Sequence, residues 1–116
     1  MKSKQSTIRP GRPVRGSRTG RPIMALLDLL GRRWALRVVW ELRDGAPSFR
    51  DLQLRCGGMS SSVLAQRLAE LAKADVVASG PDGGYQLTAE GRALLEALGP
   101  IDGWAKRWAE RQKRRK

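Results

Sequence analysis

The chain has 116 residues, enough for one compact core with loose ends and too few for two ordinary domains. Apolar residues make up 41% of it, yet no run approaches the roughly 18 that a membrane span requires and no signal-peptide apolar core opens the sequence, so a cytoplasmic protein with no membrane partner is expected. One cysteine and no histidine exclude an internal disulfide and leave no cluster of soft ligands, so neither a metal nor a cofactor is expected.

The net charge of +12 sits at the two ends. Residues 1–22 carry +7 with no acid, the last twelve carry +6, and the stretch 23–104 between them is −1. Residues 1–21 are rich in Gly, Pro, Arg, Ser and Thr and nearly empty of large apolar side chains, and so read as a basic arm, disordered when alone. A folded domain is expected over 22–111, with a basic tail over 112–116. Two basic ends on a near-neutral globule suit phosphate, although a tail serving solubility would carry the same charge.

From Pro22, the apolar residues Ile23, Leu26, Leu27 and Leu30 recur at helical spacing, and Gly31 stops that first helix. Arg33 to Arg43 follows, with Trp34, Ala35, Leu36, Val38, Val39, Trp40 and Leu42 on nearly every side, as in a central buried helix that Asp44, Gly45 and Pro47 end. Ser48 caps a third helix with Asp51 near its positive end and Phe49, Leu52 and Cys56 as its apolar stripe. Gly57 and Gly58 break it, and Ser60 caps a fourth helix running to about Ala74. Leu64, Leu68 and Leu71 fall on one face of this helix, with Ser62, Gln66, Ala69 and Lys73 opposite. Val76–Ser79 and Tyr85–Leu87 read as two short strands around the turn residues 80–84, a wing. Thr88 caps a last helix with the stripe Leu94, Leu98, Ile101, Trp104 and Trp108, which Gly99-Pro100 should kink or break.

Helix, glycine turn, polar-faced helix and hairpin in this order form a mainly α winged helix-turn-helix, suited to groove insertion. No nucleophile with its base, paired carboxylates or phosphate-cradling loop is present, so the chain does not read as an enzyme. Cys56 reads as a small apolar core residue, and Trp34 and Trp40 as core. Trp104 and Trp108 have little left in one chain to cover them and point to a dimer interface. Arg9, Arg12, Arg15, Arg18 and Arg21 recur every third residue, and Gly11-Arg12-Pro13 and Gly20-Arg21-Pro22 resemble the Gly-Arg-Pro core of AT-hook peptides, which enters narrow minor grooves. Contact with phosphate alone is the simpler role for these arginines.

Three stretches, Ala25 to Trp34, Glu41 to Gly45 and Phe49 to Leu52, resemble the HxlR family of bacterial transcriptional regulators. The similarity continues through Ser60, Val63-Leu64, Gln66-Arg67-Leu68, Glu70-Leu71, Val77, Tyr85 to Thr88, Gly91 and Trp104, covering residues 22 to about 108. It implies a homodimer joined through its terminal helices, with each recognition helix in a major groove. The chain departs from the family at three places. Arg21 stands where members often carry a sensing cysteine; the wing is short and lacks the usual basic, Pro-rich segment; and Asp75 replaces the usual glycine before the wing.

The expected function is sequence-selective binding of double-stranded DNA by a homodimeric, nucleoid-associated regulator. Ser61, Ser62, Ala65 and Gln66 are expected at base edges, with Gln66 the main reader, and Arg50, Ser60, Arg67 and Lys73 at phosphates. Leu98, Ile101, Trp104 and Trp108 are expected in the dimer interface. The competing readings are an architectural protein with little sequence preference and a protein-docking module. No small-molecule effector is readable from the residues.

Overall fold

The structure is a computed structural model, and it describes residues 21–115. Five helices and one hairpin follow in order: α1 (Pro22–Leu30), α2 (Ala35–Glu41), α3 (Phe49–Arg55), α4 (Ser61–Lys73), β1 (Val77–Ser79), β2 (Tyr85–Leu87) and α5 (Ala89–Arg114). The arm arginines Arg9, Arg12, Arg15 and Arg18 lie outside the described residues.

The helix starts are set by local chemistry. Pro22 occupies the first turn of α1, where its missing N–H costs nothing. The Ser48, Ser60 and Thr88 hydroxyls accept from the backbone N–H of Asp51, Val63 and Gly91, each satisfying an otherwise orphaned donor. Two helix ends share a left-handed closure. After α3, Gly57 and Gly58 take φ of 80° and 76°, and the Gly58 N–H donates to the Gln53 carbonyl at 2.9 Å. After α4, Asp75 takes φ of 64° and the Val76 N–H reaches the Leu71 carbonyl at 2.9 Å. Asp75 therefore keeps the left-handed exit that glycine would give, because aspartate is among the few residues that tolerate it.

The core gathers Ala25 and Leu29 from α1, Val38, Val39 and Leu42 from α2 and its end, Leu52 and Cys56 around α3, Leu64, Leu68 and Leu71 from α4, and Val77 and Leu87 from the hairpin. Met59, in the turn before α4, is buried there too and was not anticipated. The two strands pair antiparallel with Ala78 opposite Gln86. The hairpin is seated against the α2–α3 connection: the Tyr85 N–H donates to the Pro47 carbonyl at 2.8 Å, and the Phe49 and Tyr85 rings meet edge to face. A Cβ on Gly91 would lie 2.1 Å from the Val76 carbonyl oxygen, so only glycine lets α5 approach the wing base this closely.

Three expectations are corrected. The stripe expected on α1 splits: Leu26 and Leu30 are partly buried, Ile23 and Leu27 are 51% and 55% exposed, and the residues buried in the core are Ala25 and Leu29. The second helix is shorter than Arg33–Arg43 and is not enclosed all round, because Trp34 sits before it at φ 76° and Leu36 is 42% exposed. Trp34 and Trp40 are only partly buried. Finally, α5 runs unbroken through Pro100 and into the expected tail. Pro100 and Glu96 are both exposed, so water can satisfy the carbonyl that the missing N–H leaves behind.

Candidate nucleic-acid interface

α4 is anchored on one side by Leu64, Leu68 and Leu71, which are all buried. At about 100° per residue, this anchoring turns Ser62, Gln66, Ala69 and Lys73 to the opposite face. Ser61, Ser62, Ala65 and Gln66, expected at base edges, are all exposed along one side of the helix. The N-terminal end is held by a double constraint, because the Ser60 hydroxyl caps the helix and also lies 3.1 Å from the Ser62 hydroxyl. Just upstream, the Gln53 side-chain amide donates to the Met59 carbonyl at 2.8 Å and closes the glycine turn. The face can therefore offer hydroxyls, one amide and a methyl to a groove.

The residues expected at phosphates divide. Arg50, Ser60 and Lys73 are exposed. Arg67 differs from them: its Nε donates to the Arg33 carbonyl at 2.6 Å and its Nη1 pairs with Glu70 at 2.9 Å, with the side chain only 14% exposed. Its guanidinium is engaged within the protein. Arg21 begins the described residues, exposed, with its carbonyl accepting from the first turn of α1. The wing, residues 77–88, contains no Lys or Arg, and its tip bears the exposed Asp82. A cleft beside that tip is lined by Asp51 and Asp82 together with Ser48 and Gln86, so the wing lacks the positive charge that would draw it to phosphate.

On α5, Ile101, Trp104 and Trp108 are about half exposed, and the two indoles stack with centroids 5.6 Å apart. Leu98 and Ile101 line an apolar cleft of about 300 Å³ with Leu36, Trp40 and Ala105, flanked by Arg37 and Asp102. With Ile23 and Leu27 of α1 also uncovered, the terminal helices carry most of the exposed large apolar side chains. Cys56 is fully buried, and its thiol is raised above its ordinary range chiefly by burial, with Arg37 opposing and Glu41 adding to the shift. Among the described residues no group of His, Cys, Asp and Glu could hold a metal, and no helix is long and apolar enough to cross a membrane.

A profile of the HxlR-like helix-turn-helix family matches residues 29–113. YvaP, an HTH-type transcriptional regulator of Bacillus subtilis strain 168, is 34% identical over 90 residues, which span 72% of this chain and 83% of that protein. Among solved structures, quinone-bound YodB from B. subtilis matches with a TM-score of 0.67 at 29% identity, covering 73% of this chain and 94% of that one. A MarR-family transcriptional regulator from Enterococcus faecalis V583 gives 0.69 at 28%, covering 79% and 89%. The helical domain with its two-stranded wing is thus a winged helix-turn-helix, and the chain belongs to the HxlR-like helix-turn-helix family of DNA-binding transcriptional regulators.

Proposed function

We propose that the protein acts as a homodimer on the bacterial chromosome in the cytoplasm, placing the outward face of α4 in two successive major grooves of one operator. The observation that carries this reading is the pairing of two exposed surfaces. One is the polar face of α4, with Ser61, Ser62, Ala65 and Gln66; the other is the apolar surface of the terminal helices. A polar, capped helix on a rigid core suits base edges, and a half-exposed indole pair suits a second copy.

In this reading Gln66 reads a base bidentately, Ser61, Ser62 and Ala65 line the same groove, and Arg50, Ser60 and Lys73 meet phosphates. Leu98, Ile101, Trp104 and Trp108 form the dimer contact, with Leu36 beside Leu98 and Ile101, and Ile23 and Leu27 of α1 add exposed apolar surface. The arm, from Arg9 to Arg21, supplies charge that the wing does not. The protein regulates by binding and performs no chemistry of its own. Selecting bound duplexes from a random library tests this reading. A palindrome with half-sites about one helical turn apart is expected. A flat output would favour an architectural protein instead.

A further inference from the structure

Four charged side chains form a continuous chain from α1 to α4. Asp28 on α1 pairs with Arg32 at 3.2 Å, Arg32 with Glu70 on α4 at 3.0 Å, and Glu70 with Arg67 at 2.9 Å. Arg67 then closes onto the Arg33 carbonyl. Each Glu70 oxygen serves a different arginine: Oε2 takes Arg32 and Oε1 takes Arg67. The four side chains are between 10% and 17% exposed, so water screens these pairs much less than surface pairs. Charges alternate in sign along the chain and sum to zero. Arg32 Nε is buried without a hydrogen-bond partner, a cost borne while its two terminal nitrogens bridge the helices.

We propose that Glu70 and Arg32 are positioning residues for DNA reading, which set the roll of α4 relative to α1 through this chain. The proposal rests on the reading of α4 as the groove-inserting helix and α1 as part of the dimer. Leu64, Leu68 and Leu71 hold α4 by apolar packing, which resists separation but sets direction only weakly. The ion pairs lie on the flank of the same helix and are directional. A roll of about 20° at a helix radius of about 6 Å moves the outer face by about 2 Å. A binding constellation tolerates about 0.5 Å. Because the chain ends on α1, the helix that also carries the exposed Ile23 and Leu27, it also ties the reading face of each subunit to the helix proposed to meet its partner.

The test compares wild type, Glu70→Gln, and the double variant Arg32→Met with Glu70→Met. Melting temperature, dimer mass, salt dependence and the affinity ratio of operator over scrambled duplex are measured on each. The double variant also removes the ion pair of Asp28 with Arg32 and that of Arg67 with Glu70, so it should melt several degrees below wild type and, at a working temperature below that melt, remain folded and dimeric. Its salt slope should be unchanged. Its operator preference should fall about tenfold, the equivalent of one misplaced bidentate base contact, and Glu70→Gln should lose a similar amount. An unchanged ratio in folded, dimeric variants overturns the proposal. So does a loss that disappears on cooling in step with recovered folding, because the role would then be stability alone. A wild-type protein with no preferred sequence would instead refute the underlying reading of α4.

Discussion

Replacing Trp104 and Trp108 together by alanine should separate the proposed dimer without unfolding the subunit. A tryptophan side chain presents about 250 Å², and these two remain 50% and 48% exposed in one chain. Each ring therefore offers about 120 Å², and both rings in both subunits about 480 Å². At about 25 cal/mol per Å², full coverage would contribute about 12 kcal/mol to association. If a partner covers only a third of that surface, the double variant loses about 4 kcal/mol, a roughly thousandfold weaker dimer. The subunit itself should hold, since none of the buried core side chains belongs to this pair. Sedimentation velocity across a concentration series reads the dissociation constant, and thermal melting of the dilute monomer checks the fold. An unchanged dissociation constant would refute the argument that this aromatic surface is what the partner covers.

Gln66→Ala should change preference at one base position by about 1–3 kcal/mol and leave the rest of the selected motif intact, as read by repeating the selection with the variant. Gly91→Ala should cost about 1–3 kcal/mol in a denaturant melt, because the new methyl meets the Val76 carbonyl. The raised thiol of Cys56 stabilises the fold fully at low pH, and that contribution is lost as pH climbs past the ordinary thiol range, about pH 8.5. Melting temperature should decline there, Cys56→Ala should flatten the decline, and a thiol reagent should label the native protein slowly near neutral pH. Deleting residues 1–20 removes six positive charges per subunit. Three lost phosphate contacts in each subunit should flatten a dimer's slope of log K against log salt by about 5, with the preferred sequence retained. Equal slopes for the two forms would reject a phosphate role for the arm.

The features that the sequence made legible are those specified locally. Ser48, Ser60 and Thr88 cap helices where a hydroxyl before an apolar period should, and Gly57-Gly58 and the residues 80–84 turn the chain where glycine permits it. The outward set on α4 followed from its three leucines alone. What could not be read depended on partners distant in sequence. α1 is apolar on more than one side, so periodicity could not decide that Ala25 and Leu29, and not Ile23 and Leu27, meet the core. Arg67 looked like a phosphate ligand because its bonds to the Arg33 carbonyl and into the chain leading to Arg32 join segments over 30 residues apart. Asp28 and Arg32 stand four residues apart and Arg67 and Glu70 three, but nothing local joins one pair to the other. Gly99-Pro100 was expected to kink or break α5 because of the missing N–H, and the helix continues because an exposed turn tolerates that loss.

Methylation interference over a selected duplex tests most directly whether paired copies of α4 read the DNA. Dimethyl sulfate modifies guanine N7 in the major groove and adenine N3 in the minor groove, so the pattern reports which groove the protein reads. Two α4 helices in one homodimer predict interference at guanines in two clusters, centred about 10 base pairs apart on one side of the duplex. With Gln66 replaced by alanine the clusters should keep their spacing, with any change confined to the one position that Gln66 reads. A single cluster, or interference confined to adenines, would contradict the claim that this protein reads DNA through paired copies of α4.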